Sequence, residues 1–99
     1  MKSSVDKKMN KKVKEFNKEL KKDVFNGRFW VRQYQKARID GSYYYLYELK
    51  DREDPSRDRV IWKWILGNSI FSMNDIWWEM NDFIITSDFW EKYNKARFN

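Results

Sequence analysis

The first apolar pattern along the chain is a narrow stripe. Val5, Met9, Val13, Phe16, Leu20 and Val24 recur at steps of four, four, three, four and four. That period places them on one side of a helix, predicted over residues 4–24. Ser3 or Ser4 caps it, and Ser3 with Asp6 matches a capping box. Asn26-Gly27 supplies the left-handed residue that ends a helix. Arg28 to Arg38 reads as a second helix: Trp30, Tyr34 and Ala37 share one face, while Arg28, Arg32 and Lys36 share another at i, i+4 spacing. Asp40-Gly41 is a turn signal. Residues 73–85 carry the broadest stripe, Met73, Ile76, Trp77, Met80, Phe83 and Ile84, behind a second capping box of Ser72 and Asp75. Asp88 and Glu91 mark a fresh helix start, continued by Phe89, Trp90, Tyr93 and Ala96.

Two runs between these elements are ambiguous. Residues 42–49 are rich in Tyr, which favours strands, and residues 60–66 carry the same ambiguity. With Asp54-Pro55-Ser56-Arg57-Asp58 between them they could form a β-hairpin. Helical spacing of Tyr43, Leu46 and Tyr47, and of Val60, Ile61, Trp64 and Ile65, tips the reading the other way, as does Pro55 as the first residue of a helix. The expected fold is therefore all-α, an irregular compact bundle of five to six short helices in a single domain, 1–99, closed at Gly67-Asn68 within its Trp-rich run. The alternative is α+β with one hairpin at about 42–66. Phe29-Trp30 before Tyr34-Gln35-Lys36-Ala37-Arg38 is echoed by Phe89-Trp90 before Tyr93-Asn94-Lys95-Ala96-Arg97. A duplicated helical unit or coincidence would both produce that echo.

Six Trp, six Tyr and seven Phe in 99 residues supply a core without a metal or a disulfide. Helical spacing assigns Trp30, Trp64, Trp77 and Trp90 to that core. Trp62 and Trp78 sit off the apolar faces of their helices and are expected to be exposed, where tryptophan serves as an interface anchor. A strand at 60–66 would put Trp62 and Trp64 on one face and remove that argument for Trp62.

The chain holds no Cys and shows no apolar run after its N-terminus, so the cytoplasm is the expected compartment. Its net charge of +6 is uneven. Residues 1–24 hold nine Lys against four acids, whereas residues 60–99 hold four bases against five acids. Lys7, Lys11, Lys14 and Lys18, continued by Arg28, Arg32, Lys36 and Arg38, form a basic stripe suited to phosphates. Phe29, Trp30 and Tyr34 lie among those arginines, a pattern also found where bases stack on rings. The plain reading is a solvated helix face. Membrane binding by the first helix is the weakest option, because Asp6, Glu15, Glu19 and Asp23 oppose anionic lipid.

Catalysis is not expected. There is no His or Cys, hence no imidazole base and no thiolate ligand. The three glycines are too far apart to cradle a phosphate. Asp51, Glu53, Asp54 and Asp58 alternate with Lys50, Arg52, Arg57 and Arg59, which reads as a solvated loop of weak ion pairs. Asp75, Glu79 and Asp82 read as a solvated acidic face that complements the basic N-terminal half, within the fold or between subunits. No cofactor or metal is expected.

In general character the chain resembles small accessory proteins of temperate phages from Gram-positive bacteria, which are short, Lys- and Asn-rich, aromatic and free of Cys. The resemblance spans the whole chain and carries no residue over. It implies a phage or mobile-element origin and a task of binding a host or phage protein. The leading expectation is thus a non-enzymatic inhibitor or regulator acting by protein–protein contact through Trp62, Trp78, Arg28, Arg32, Lys36 and Arg38. The alternative is a DNA- or RNA-binding protein using the basic stripe. A homo-oligomer is compatible with either.

Overall fold

Asp40 and Gly41 have φ of 50° and 80°, the paired left-handed conformation of a two-residue type I′ turn. Such a turn joins strands, not helices. The computed structural model, which describes residues 4–67, 69 and 73–98 apart from the side chains of Asp23 and residues 96–98, accordingly runs β1 (Phe29–Ile39) back antiparallel against β2 (Ser42–Asp51). A short 3-10 turn at Pro55–Arg57 leads into β3 (Arg59–Leu66), which pairs antiparallel with β2. The sheet order is β1-β2-β3. Helix α1 (Ser4–Leu20) precedes the sheet, and α2 (Asn74–Ile85) and α3 (Asp88–Phe98) follow it.

The chain is therefore α+β, and the expected all-α bundle of five to six helices is wrong; "helical" does not describe it. The hairpin weighed as the alternative over 42–66 does form, but a third strand lies where a second helix was expected. The first helix also stops at Leu20, so Val24 falls outside it and is exposed. The predicted caps at Ser3 and Ser72, and Asn68, lie outside the described residues. The sequence echo has no structural counterpart, since one copy is strand β1 and the other is helix α3.

Both pairings are irregular at the same level. Gln33 pairs with Tyr47 and Gln35 with Leu46, so Tyr34 is an extra residue in β1. Ile61 pairs with Tyr47 and Ile65 with Tyr45, so Trp62, Lys63 and Trp64 together oppose Leu46. Two β-bulges thus flank the middle of β2.

One sheet face carries the helices. Phe29, Val31, Tyr45, Tyr47, Leu49, Ile61 and Ile65 meet Met9, Phe16 and Leu20 of α1 and Ile76, Met80, Phe83 and Ile84 of α2. Each such burial contributes about 1.5–3 kcal/mol. The buried rings are Phe16, Phe29, Phe83, Tyr45 and Tyr47. Trp30, Trp64, Trp77 and Trp90, assigned to the core from helical spacing, are all partly or largely exposed. For Trp30 and Trp64 the reason is the strand period, which turns them to the other face. The Asn17 amide spans the outer edge of β1, donating to the Val31 carbonyl and accepting from the Val31 N–H, both at 2.8 Å. With the Tyr34 bulge, this blunts an edge that could otherwise recruit a foreign strand.

Gly67 closes the sheet against α1. A Cβ there would lie 2.6 Å from Val5 Cγ1 and 2.9 Å from Tyr45 Cε2, neither of which can swing aside. We expect Gly67→Ala to lower the unfolding free energy by about 1–3 kcal/mol in urea titrations, whereas Gly41→Ala in the open turn will act only through its positive φ.

Candidate functional site

Among the described residues no helix lies over the second sheet face. Register assigns its residues in rows across the strands: Trp30 with Lys50; Arg32, Glu48 and Val60; Gln35, Leu46 and the bulged Trp62 and Trp64; Ala37, Tyr44 and Leu66; and Ile39 with Ser42. Charge is confined to the first two rows. Arg32 Nε meets Glu48 Oε1 at 2.7 Å, and Lys50 Nζ meets Asp58 Oδ2 at 2.6 Å. The Trp30 ring lies under the cations of Lys50 and Arg52, 5.8 and 4.7 Å from its centroid. Rows three to five carry no charge and, apart from Gln35 and Ser42, are apolar.

At the centre of that apolar half, Leu46 is only 3% exposed although it points away from the helices. The bulges explain this. Tyr34 and Trp62, extruded from β1 and β3 on either side of Leu46, meet edge to face with centroids 5.8 Å apart. Even so, Trp62 remains 75% exposed. It is exposed for a reason that sequence reasoning missed, a strand bulge and not an off-face helix position. Trp64, Leu66 and Ile39, also exposed here, were not expected at a contact surface, and Tyr34 was considered only as a ring on which a base stacks. The signal that would have found them is Asp40-Gly41, whose hairpin puts Trp30, Arg32 and the bulged Tyr34 on one face.

Of the other expected contacts, Arg32 lies at the margin of this face and the rest do not join it. Trp78 is 74% exposed, but it lies on α2 opposite the buried Ile76, Met80 and Phe83, on the far side of the molecule. Beside it, Asp75 binds Lys63 at 2.9 Å, and Glu79 and Asp82 bind Arg59 at 3.1 and 3.2 Å. The acidic face thus complements β3, not the basic N-terminal half. The basic stripe is also divided. Lys7, Lys11, Lys14 and Lys18 are exposed along α1, and none is in an ion pair among the described residues. Lys36, in contrast, faces α1 and binds Asp6 at 2.8 Å, whose other oxygen accepts the Tyr45 hydroxyl at 2.6 Å. Burial, then Asp6, pushes the Tyr45 hydroxyl well above its ordinary value, so it stays protonated as the donor. Arg38 lies over the Tyr43 ring.

Arg28 departs furthest from expectation. Its side chain is 6% exposed and forks onto Asp51, itself fully buried, with Nε to Oδ1 at 2.9 Å and Nη2 to Oδ2 at 3.1 Å. Arg28 also reaches Glu53 and Asp88. Asp51 accepts Arg57 Nη1 at 3.0 Å and the backbone N–H groups of Glu53 and Asp54. Arg57 continues to the Phe83 carbonyl and Thr86 of α2. The supposed solvated loop is therefore a buried ionic node. Burial raises the Asp51 carboxyl, but the hydrogen bonds from Arg28, Arg57 and the backbone outweigh it and leave the group below its ordinary value. Arg28 and Lys92 hold Asp88 at about 2.

A groove of about 490 Å3 between α1 and α2 has Phe16, Met73 and Trp77 among its walls and Lys12, Lys18 and Lys22 with Glu15 and Glu19 at its rim. Among the described residues no group of three or more Asp or Glu side chains is placed to hold a metal ion, and no helix is long and apolar enough to cross a membrane. No protein-family model matches the chain, no curated protein matches it, and neither does any solved structure.

Removing Arg28 strands a buried carboxylate. We expect Arg28→Met to cost about 3–5 kcal/mol at neutral pH. Asp51 and Asp88 have depressed values in the fold, so the stability they confer is complete above their ordinary 3.8 and is lost as pH falls toward 2. The gap between wild type and variant, measured by urea unfolding at successive pH values, should therefore narrow below about pH 4.

Proposed function

We propose that the chain is a non-catalytic interaction protein whose contact surface is the open face of its sheet and whose partner there is a protein. The observation that carries this is Trp62, three-quarters exposed over the buried Leu46. The surrounding anatomy supports it: an apolar centre with rings and a charged margin of Arg32, Glu48 and Lys50 on one side. Protein interfaces have that arrangement, and tryptophan, tyrosine and arginine dominate their binding energy. A photo-crosslinking amino acid at position 62 of the full chain, expressed in cells, should yield a covalent protein adduct of defined mass. The same probe at Asn81, on the helical side, should not. Absence of any protein adduct from position 62 refutes the reading.

A second reading rests on a separate observation, the exposure of Lys7, Lys11, Lys14 and Lys18, none of them in an ion pair among the described residues. They span about 16 Å of helix, enough to follow several phosphates. On this reading the protein retards duplex DNA in a gel at low salt. Its affinity falls with a log–log salt slope of about −0.9 for each phosphate neutralised, and Lys11→Glu with Lys14→Glu abolishes the shift. No retardation by wild type at low salt excludes it.

A further inference from the structure

We propose that the apolar half of the open sheet face is covered by a second copy of this chain, packed sheet on sheet about a two-fold axis. The inference rests on the reading of that face as a protein contact surface and names the partner. Three observations carry it.

The first is area. The chain exposes 6931 Å2, against about 6100 Å2 expected of a monomeric protein of 12.4 kDa. That excess belongs to the whole chain, whose longest dimension is 54 Å, and the open face holds a share of it.

The second is continuity. Tyr34, Trp62, Trp64, Tyr44, Leu66 and Ile39 lie in three successive rows, the first two crossing all three strands and the last only β1 and β2. Taking roughly 150–250 Å2 for a whole ring, the exposed fractions of Tyr34, Trp62 and Trp64 alone leave about 240–400 Å2 of aromatic surface. That reaches the size of the largest patch on a typical monomer before the aliphatic residues are added.

The third is the distribution of charge. The apolar rows offer no ionic group to a partner, so what covers them must itself be flat, twisted and apolar. This chain presents such a face. The charged rows pair internally, Arg32 with Glu48 and Lys50 with Asp58, so no net field on that face repels an identical copy. A two-fold axis through the Ala37–Tyr44–Leu66 row, the middle of the three uncharged rows, lays apolar half on apolar half and leaves Trp30, Arg32 and Lys50 at the margin. Antiparallel sheets stack in this way at about 10 Å, and the two helical layers end up outermost.

The test is sedimentation velocity on the full chain from 1 to 100 µM, with Trp62→Lys, Leu66→Lys and the control Trp78→Lys. All three positions are exposed, so each variant should fold, as checked by far-ultraviolet circular dichroism. Wild type and Trp78→Lys should sediment at twice the chain mass, and Trp62→Lys and Leu66→Lys should weaken association at least about 30-fold. A wild type that is monomeric at 100 µM overturns the proposal, as does a dimer untouched by both sheet-face variants. The crosslinker at position 62 separates this from the broader reading. A monomer that still yields an adduct with a different protein sinks the second copy and keeps the contact face. No adduct of either kind sinks both.

Discussion

Arg28 enters the fold as a guanidinium almost without exposure, at the point where the chain leaves α1 and begins the sheet. A charge in that position must be neutralised where it stands. Asp51 does so from the last residue of β2, and it in turn is held by Arg57 and by two backbone N–H groups of its own turn. The beginning of β1, the end of β2, the Pro55 turn, the end of α2 and, through Asp88, the start of α3 all meet at this node. The apolar core fixes which face of the sheet is covered, but it would tolerate the helices sliding along that face. The fork geometry of Arg28 on Asp51 does not. Because each partner depends on the other to be buried at all, the node acts as a single unit and ties α2, through Arg57, and α3, through Asp88, to the strand ends.

With the helices fixed on one face, the other face follows from the bulges. A three-stranded sheet covered on one side would normally expose alternating polar residues on the other. Here Tyr34 adds one residue to β1, and the run from Trp62 to Trp64 adds two to β3, at the same level of β2. The extra residues are aromatic and fold over Leu46, giving a second, small apolar cluster outside the main core. Both faces of the centre of β2 are therefore occupied, which is why Tyr45, Leu46 and Tyr47 are all buried in succession.

That double burial also explains what could and could not be read from the residues alone. The helices α1 and α2 were legible because each buries one stripe at helical period, and α3 from its acidic first turn at Asp88 and Glu91. The sheet was not, because none of its strands keeps a period of two. In β2, three consecutive buried residues erase alternation. In β3, the bulge separates the buried Ile61 and Ile65 by four positions, the spacing of a helix face. In β1, Trp30, Tyr34 and Ala37 fall three and four apart because the Tyr34 bulge interrupts the strand. The one intact local signal was Asp40-Gly41, whose two-residue turn requires strands on both sides. Trp78 is exposed as its helix face implied, but the strand that forms at Arg59–Leu66 removes that argument for Trp62, and the grouping of Arg28, Lys36 and Arg38 into one surface failed, since strand geometry sends Arg28 into the node and turns Lys36 toward Asp6 of α1.

The lysines of α1 and the rings of the open face occupy opposite layers, because α1 covers the face that the bulges do not. No flat partner can touch both. Contact through the rings therefore leaves the lysine stripe presented outward, and stacking two chains by their sheets would set two such stripes roughly 30 Å apart, counting one sheet–sheet and two helix–sheet spacings of about 10 Å each. The protein-contact reading and the anionic-partner reading are then not rivals for one surface. The first accounts for the aromatic face, the second for cations that are in no ion pair among the described residues, and the single sheet between them keeps the two independent.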